Sequence, residues 1–147
     1  MKFIRKYYYM KFSEKNIPLN NSQKKKLENI LYGEEYKKFL TKSDENYLII
    51  KKEELIGFFF LNIERDFIDI TSIYIFEEYR NKSIATQVIN DIIFVARHNI
   101  NRDINYIKAN SFVESAMFFL KKGFDFYKIN EKIDYKKKNV IIMYKKI

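Results

Sequence analysis

Apolar residues recur every three or four positions in some windows of the chain and every second position in others, and this change of period is its main structural signal. The clearest helical window starts at Ile84. Ile84, Val88, Ile92 and Val95 form one stripe, and Ala85, Ile89, Ile93 and Ala96 an adjoining one, together a wide apolar face. Arg97 and His98 close it, where cations suit a helix C-terminus. Leu27, Ile30, Leu31, Phe39 and Leu40 predict an earlier helix over 23–40, with cap candidates at 20–22 and Gly33 as a point of bending. Val113, Ala116, Met117 and Leu120 predict a third over 112–122, ended by Gly123 in a left-handed conformation. Strands are predicted at 1–12, at 47–51 and 55–64 as a hairpin around Lys52-Glu53-Glu54, and at 67–76 after an Arg65-Asp66 turn. Shorter ones follow at 105–109, 124–129 and 140–144. The order is β, α, a three-strand meander, α, β, α, β, β. It predicts an α/β (mixed α+β) fold, a mixed, mostly antiparallel sheet covered by helices on both faces. No Gly-, Pro- or Ser-rich linker and no repeat divides the chain, so 1–147 is read as one domain.

Composition narrows the class. At 147 residues, 47% hydrophobic and 18% aromatic, the chain can bury a core. Its longest apolar run, 55–61, is far too short to span a bilayer, and Lys2, Arg5 and Lys6 interrupt the N-terminus where a signal peptide would be apolar. Cysteine is absent, which excludes a disulfide framework, a cysteine zinc site and a cysteine nucleophile. The expectation is a cytoplasmic protein with no membrane partner. The net charge of +9 is compatible with a nucleic acid, a membrane surface or an anionic small ligand. The wealth of Lys, Ile, Asn, Phe and Tyr is also what an A/T-rich coding sequence produces. No nucleic-acid module signature accompanies the charge, so nucleic acid is the less favoured partner.

One stretch carries candidate chemistry: EEYRNKSIATQVI, residues 77–89. It leads from a strand end through a basic turn into the best helix. Such a turn aims several backbone amides at one spot, and the helix dipole adds a positive field there. Arg80 and Lys82 would complement a phosphate. Glycine is missing. Asn81 is the best substitute for a left-handed residue, Ser83 and Ala85 are small, and Ser83 and Thr86 each offer a hydroxyl. Alone, the stretch reads sooner as a solvated, basic helix start than as a phosphate site.

Three patterns in order resemble the GNAT acyltransferase superfamily. The first is 73–86, IYIFEEYRNKSIAT, similar to the family's strand, acidic-Tyr-Arg turn and pyrophosphate loop. The second is 115–124, SAMFFLKKGF, similar to its helix ending in Tyr-Glu-Lys-Leu-Gly-Phe. The third is the closing strand VIIMYKK at 140–146, and Gly57 falls where the family commonly has glycine. The resemblance covers nearly the whole chain and implies the GNAT fold, with acetyl-CoA as co-substrate and transfer of its acetyl group to a primary amine. The acceptor would be a small molecule, a peptide N-terminus or a protein lysine. With no cysteine, direct attack in a ternary complex is the expected route. By the same resemblance Ile73, Tyr74 and Ile75 line the pantetheine, Arg80, Asn81, Lys82, Ser83, Ile84, Ala85 and Thr86 hold the phosphates, and Asn110, Phe119 and Lys122 complete the cofactor set. The Ile75 amide is the candidate oxyanion donor. Asp69, at the offset where some members carry a glutamate, is the candidate base, and its apolar neighbours Ile68 and Ile70 would raise its pKa.

Departures from the family pattern set limits. Phe119 stands where the family's general-acid tyrosine is expected, Phe112 near its helix-starting asparagine, and Ile107 where some members place a glutamate. The proton for the leaving thiolate is therefore unassigned, with Tyr74, Tyr127 and solvent as sources. Two other classes stay open: a catalytically inactive acyl-CoA-binding regulatory domain, and a basic RNA- or ribosome-associated protein, the latter motivated by Tyr7-Tyr8-Tyr9 among basic residues. His98, the single histidine, is read as a surface cap, and neither a metal cluster nor a Ser-His-Asp arrangement is expected. A monomer or homodimer is expected.

Overall fold

The computed structural model describes residues 7–13, 16–31, 45–80, 83–98, 104–112, 125–126 and 140–146. The elements are β1 (Tyr8–Lys11), α1 (Asn21–Leu31), β2 (Glu45–Lys51), β3 (Glu54–Ile63), β4 (Phe67–Ile75), a 3-10 turn (Glu77–Tyr79), α2 (Ile84–His98), β5 (Tyr106–Phe112), β6 (Asp125–Phe126) and β7 (Val140–Lys146). Hydrogen-bonded neighbours give the strand order β1-β2-β3-β4-β5-β7-β6. β1/β2, β2/β3, β5/β7 and β6/β7 are antiparallel, and β4/β5 is parallel. This is the mixed, mostly antiparallel sheet of an α/β fold that the sequence predicts. The expected N-terminal stretch 1–6, Gly33 with 32–44, and the helix over 113–122 with Gly123 lie outside the described residues. Phe112, expected to open that helix, is instead the last residue of β5, which runs three residues beyond its predicted end.

The chain divides into two compact units, residues 1–62 with 71–85, and residues 63–70 with 86–147. The first holds β1, β2, most of β3 and the second half of β4. β3 is buried continuously from Leu55 to Leu61, so both of its faces are covered. Phe12, Leu48, Phe58, Phe60 and Phe76 join Leu27 and Leu31 of α1 in one core. Leu27 and Leu31, one turn apart, are fully buried because i and i+4 share a helix face. α1 starts where the Gln23 amide donates to Asn20 Oδ1 at 2.8 Å, satisfying an N-terminal amide that the helix itself cannot.

Two local features of this unit were not visible in the pattern. The hairpin between β2 and β3 turns on two residues, Lys52 and Glu53, with φ of 49° and 66°. Positive φ at both central residues is the twist-matched hairpin turn that normally uses Asn-Gly. Glu54 belongs to β3. Next to it, the β2/β3 register shifts between Ile49 and Ile50. A Cβ at Gly57 would lie 2.1 Å from the Tyr74 carbonyl oxygen, so only glycine allows β3 this close to β4.

The second unit holds the first half of β4, β5, β6, β7 and almost all of α2. Ile68, Ile70, Ile107 and Ala109 are buried on paired β4 and β5, and Val88, Ile89, Ile92, Ile93 and Ala96 on α2. Val95, expected in the apolar stripe, is 37% exposed, so the buried face is narrower than the sequence predicts. Arg97 and His98 do occupy the last turn, where they complement the dipole.

Candidate acetyl-transfer site

β4 and the turn after it position most of the described candidate residues. Their backbone can be traced from three hydrogen bonds. At one end the Glu64 amide donates to the Phe67 carbonyl at 2.9 Å, and at the other the Phe76 amide donates to the Ile56 carbonyl at 2.9 Å. Between these points β4 advances one residue further than β3, so β4 carries a bulge. Its burial alternation breaks at Ile70, Thr71 and Ser72, all three buried, which places the extra residue there. Thr71 Oγ1 donates to the Phe60 carbonyl at 3.3 Å beside it. After the bulge, Phe76 faces β3, so alternation turns the amides of Ile73 and Ile75 to the opposite edge. The register with β5 covers Phe67–Ile70 of β4, and Thr71–Ile75 continue beyond it. A strand edge with amides at every second residue is what an extended, amide-bearing chain can pair with.

The third bond closes this edge. Arg80 Nε donates to the Ile75 carbonyl at 2.9 Å, with its guanidinium carbon 5.1 Å from the centre of the Tyr74 ring. Arg80 is exposed and its Nε is held by the strand end, and a guanidinium has further N–H donors that could serve an anion. The turn then runs into α2 through Ser83, whose φ is 60°. Ser83 thus holds a left-handed conformation. Asn81 and Lys82 lie outside the described residues, as do Phe119 and Lys122. Ile84 is buried, so it can offer a ligand only its backbone, and Ala85 and Thr86 are half-buried in the first turn of α2. Asn110 lies in β5 opposite Ile142, not at a helix start.

Asp69 sits before the bulge. Its Oδ1 is buried and has no hydrogen-bond partner among the described residues. Burial raises its carboxyl pKa above the ordinary value, the charge of Lys108 lowers it, and the charge of Glu64 raises it again. Lys108 is its registered neighbour on β5, one step along from Phe67 stacked on Tyr106 at 4.9 Å. A half-buried carboxylate whose pKa is raised by burial is more basic than an exposed one, and therefore better suited to taking a proton. Asp69 and Ile75 stand on β4 with five residues between them, Asp69 in the second compact unit and Ile73 and Ile75 in the first.

Lys26 and Glu54 also belong to this region, and sequence reasoning missed both. Lys26 pairs with Glu78, and its Nζ lies 4.6 Å from the Phe76 ring and 5.3 Å from the Tyr79 ring. Tyr79 donates its hydroxyl to Glu54 Oε2 at 3.1 Å. Only their opposite charge to the 77–80 turn could have hinted at the first of these contacts. His98 is exposed and packs against Phe94 at 4.4 Å, a surface position. Among the described residues no cluster of potential ligands could hold a metal ion, and no helix is long and apolar enough to cross a membrane.

The family model described as "Acetyltransferase (GNAT) family" matches residues 11–126. A GNAT family acetyltransferase from Elizabethkingia anophelis, solved with acetyl-CoA bound, is similar with a TM-score of 0.68 at 17% identity over 97% of this chain and 99% of that one. The IAA acetyltransferase of Bacillus cereus gives 0.66 at 14% identity, covering 96% and 99%. Arabidopsis thaliana Naa50, solved with the bisubstrate analogue CoA-Ac-MVNAL, gives 0.63 at 16% identity, covering 97% and 100%. A search of curated protein sequences finds no match. The family model spans most of the chain and the fold is shared over its length with these enzymes, so the chain belongs to the GNAT acetyltransferase family.

Proposed function

We propose that the protein is an acetyl-CoA-dependent N-acetyltransferase acting on a primary amine. The observation that carries this reading is the run from the open edge of β4 into the Arg80–Thr86 turn: amides of Ile73 and Ile75, then a pinned guanidinium, then a helix N-terminus. An extended pantetheine bears amides that can pair with such an edge, and its pyrophosphate meets the helix end. These residues fit coenzyme A. Two neighbours were solved with acetyl-CoA or a coenzyme A conjugate, which supports the same co-substrate here.

The reaction needs a neutral amine, a polarised carbonyl and a proton for the departing sulfur. With phosphates at the turn, the roughly 15 Å of extended pantetheine carries the thioester past Ile75 toward Ile73. Ile75 then pairs with the pantetheine, and the Ile73 amide is the better-placed oxyanion donor. This moves the role expected of Ile75 by two residues along one edge. Asp69, whose carboxyl pKa is raised by burial, takes the proton of the incoming ammonium through water. The amine nitrogen bonds to the carbonyl carbon and gives up its second proton to water, the carbon–sulfur bond breaks, and the thiolate takes a proton from solvent. Cytoplasmic location and a one-domain organisation belong to this same reading.

The test is thermal shift and calorimetry with acetyl-CoA, joined to a thiol-release assay over neutral, anionic and cationic amines. Binding with amine-dependent thiol release is the expected result. Stabilisation without release would identify a binding-only domain, the reading that Phe119 favours. No binding at millimolar acetyl-CoA would overturn the proposal.

A further inference from the structure

The turn that leads into the phosphate-binding loop is anchored by three consecutive side chains, each to a different element. Glu78 pairs with Lys26 of α1, Tyr79 donates to Glu54 at the start of β3, and Arg80 donates to the carbonyl of Ile75 at the end of β4. The turn's own backbone bonds are few: Tyr79 N–H to the Phe76 carbonyl at 2.9 Å and Arg80 N–H to the Glu77 carbonyl at 3.2 Å. Two such bonds do not fix three residues against solvent, so the side chains decide where Arg80 starts. Lys26 has the most contacts of the three anchors. It reaches Glu78, and its ammonium also lies over the rings of Phe76 and Tyr79. It thus holds the residues on both sides of the turn at once. α1 is itself held to the neighbouring hairpin one turn earlier, where Gln23 Nε2 donates to the Glu53 carbonyl at 2.8 Å.

We propose that Lys26 is a positioning residue for the co-substrate: from α1 it holds the Glu78–Tyr79–Arg80 turn in the geometry that presents the Arg80 guanidinium and the α2 N-terminus to the phosphates. The inference rests on the coenzyme A reading above. A ligand site ordered before binding loses less freedom on binding, so the anchor acts on affinity for acetyl-CoA and not on the chemical step.

Lys26→Met keeps the apolar stem over the two rings and removes the charge. The expected result is an acetyl-CoA Kd raised about fivefold, the scale of one exposed ion pair with a cation–π contact. KM for acetyl-CoA rises with it, more than kcat falls. Hydrogen exchange at the Tyr79 and Arg80 amides speeds up in the free protein, Tm stays within about two degrees, and Lys26→Arg restores all three readouts. Glu78→Gln, which leaves Lys26 on its rings, gives a smaller change in the same direction. Unchanged Kd and unchanged exchange in Lys26→Met overturn the inference, as does a loss of Tm that accounts for the loss of binding. If the unsubstituted protein binds acetyl-CoA and Lys26→Met binds it equally, only this inference fails. If the unsubstituted protein does not bind it, the coenzyme reading fails first.

Discussion

At the scale of single residues, Asp69 and Ser83 each hold a state that folding alone disfavours. Asp69 is a carboxyl in a half-buried place with its Oδ1 lacking a donor among the described residues. Burial raises its folded-state pKa above the unfolded value, so the folded protein keeps that proton to higher pH. Stability therefore falls as pH rises from the ordinary carboxylate range through the folded pKa, and above it the cost is complete. Asp69→Asn removes that cost. Its Tm at pH 7 should equal or exceed that of the unsubstituted protein, with the difference vanishing below about pH 4. Turnover should fall about 100-fold or more, the usual worth of a positioned base. Full turnover in the variant would remove Asp69 from the mechanism. Ser83 holds φ of 60°, which costs a residue with a Cβ about 1–2 kcal/mol. Ser83→Gly should raise stability by about 1 kcal/mol, read by urea unfolding, and tighten acetyl-CoA. A loss of affinity despite that gain would mean the Ser83 hydroxyl contacts phosphate.

At the scale of elements, what could be read from the pattern was what depends on periodicity. The 84–98 helix, the β2–β3–β4 meander and the closing strand follow from apolar spacing and appear with their ends nearly as predicted. Features that depend on backbone geometry did not announce themselves. The bulge in β4 is hidden because FIDITSIYI alternates acceptably in either register. The β2–β3 turn is hidden because Lys52-Glu53 carries no turn residue, yet the chain places both at positive φ. Phe112 looked like a helix start because the apolar spacing after it is helical, but its backbone still pairs with Val140 of β7. In the candidate site, Arg80 to Thr86 stood out because phosphate chemistry favours those residue types together, though Asn81 and Lys82 lie outside the described residues. Lys26 and Glu54 could not, being exposed charges in other elements with no local pattern. The turn offers a direct check. Replacing Lys52-Glu53 by Asn-Gly should stabilise by about 1–2 kcal/mol, since both residues then adopt positive φ at low cost. The gain should appear as a higher urea midpoint at unchanged m-value. A loss of stability would mean that the stems of Lys52 and Glu53 contribute more packing than their conformation costs.

At the scale of the whole molecule, the net charge of +9 acts at a distance that the loop's own contacts do not. Coenzyme A is a multiply charged anion, so a basic protein raises its local concentration and its association rate. Salt screens this long-range part within about 10 Å at 0.1 M, whereas the proposed hydrogen bonds to the phosphates and the strand edge would persist. KM for acetyl-CoA should therefore rise about fivefold between 50 and 500 mM potassium chloride, with kcat nearly constant, because the chemical step uses short-range groups. The same field repels polycations, so neutral or anionic amines should show the higher kcat/KM at low salt, and the gap to a polyamine should narrow as salt increases. A KM indifferent to salt would assign the excess lysine to composition alone. A steep salt slope for RNA binding, with acetyl-CoA neither bound nor competing, would instead indicate the field serves a polyanion, as counterion release from neutralised backbone phosphates predicts.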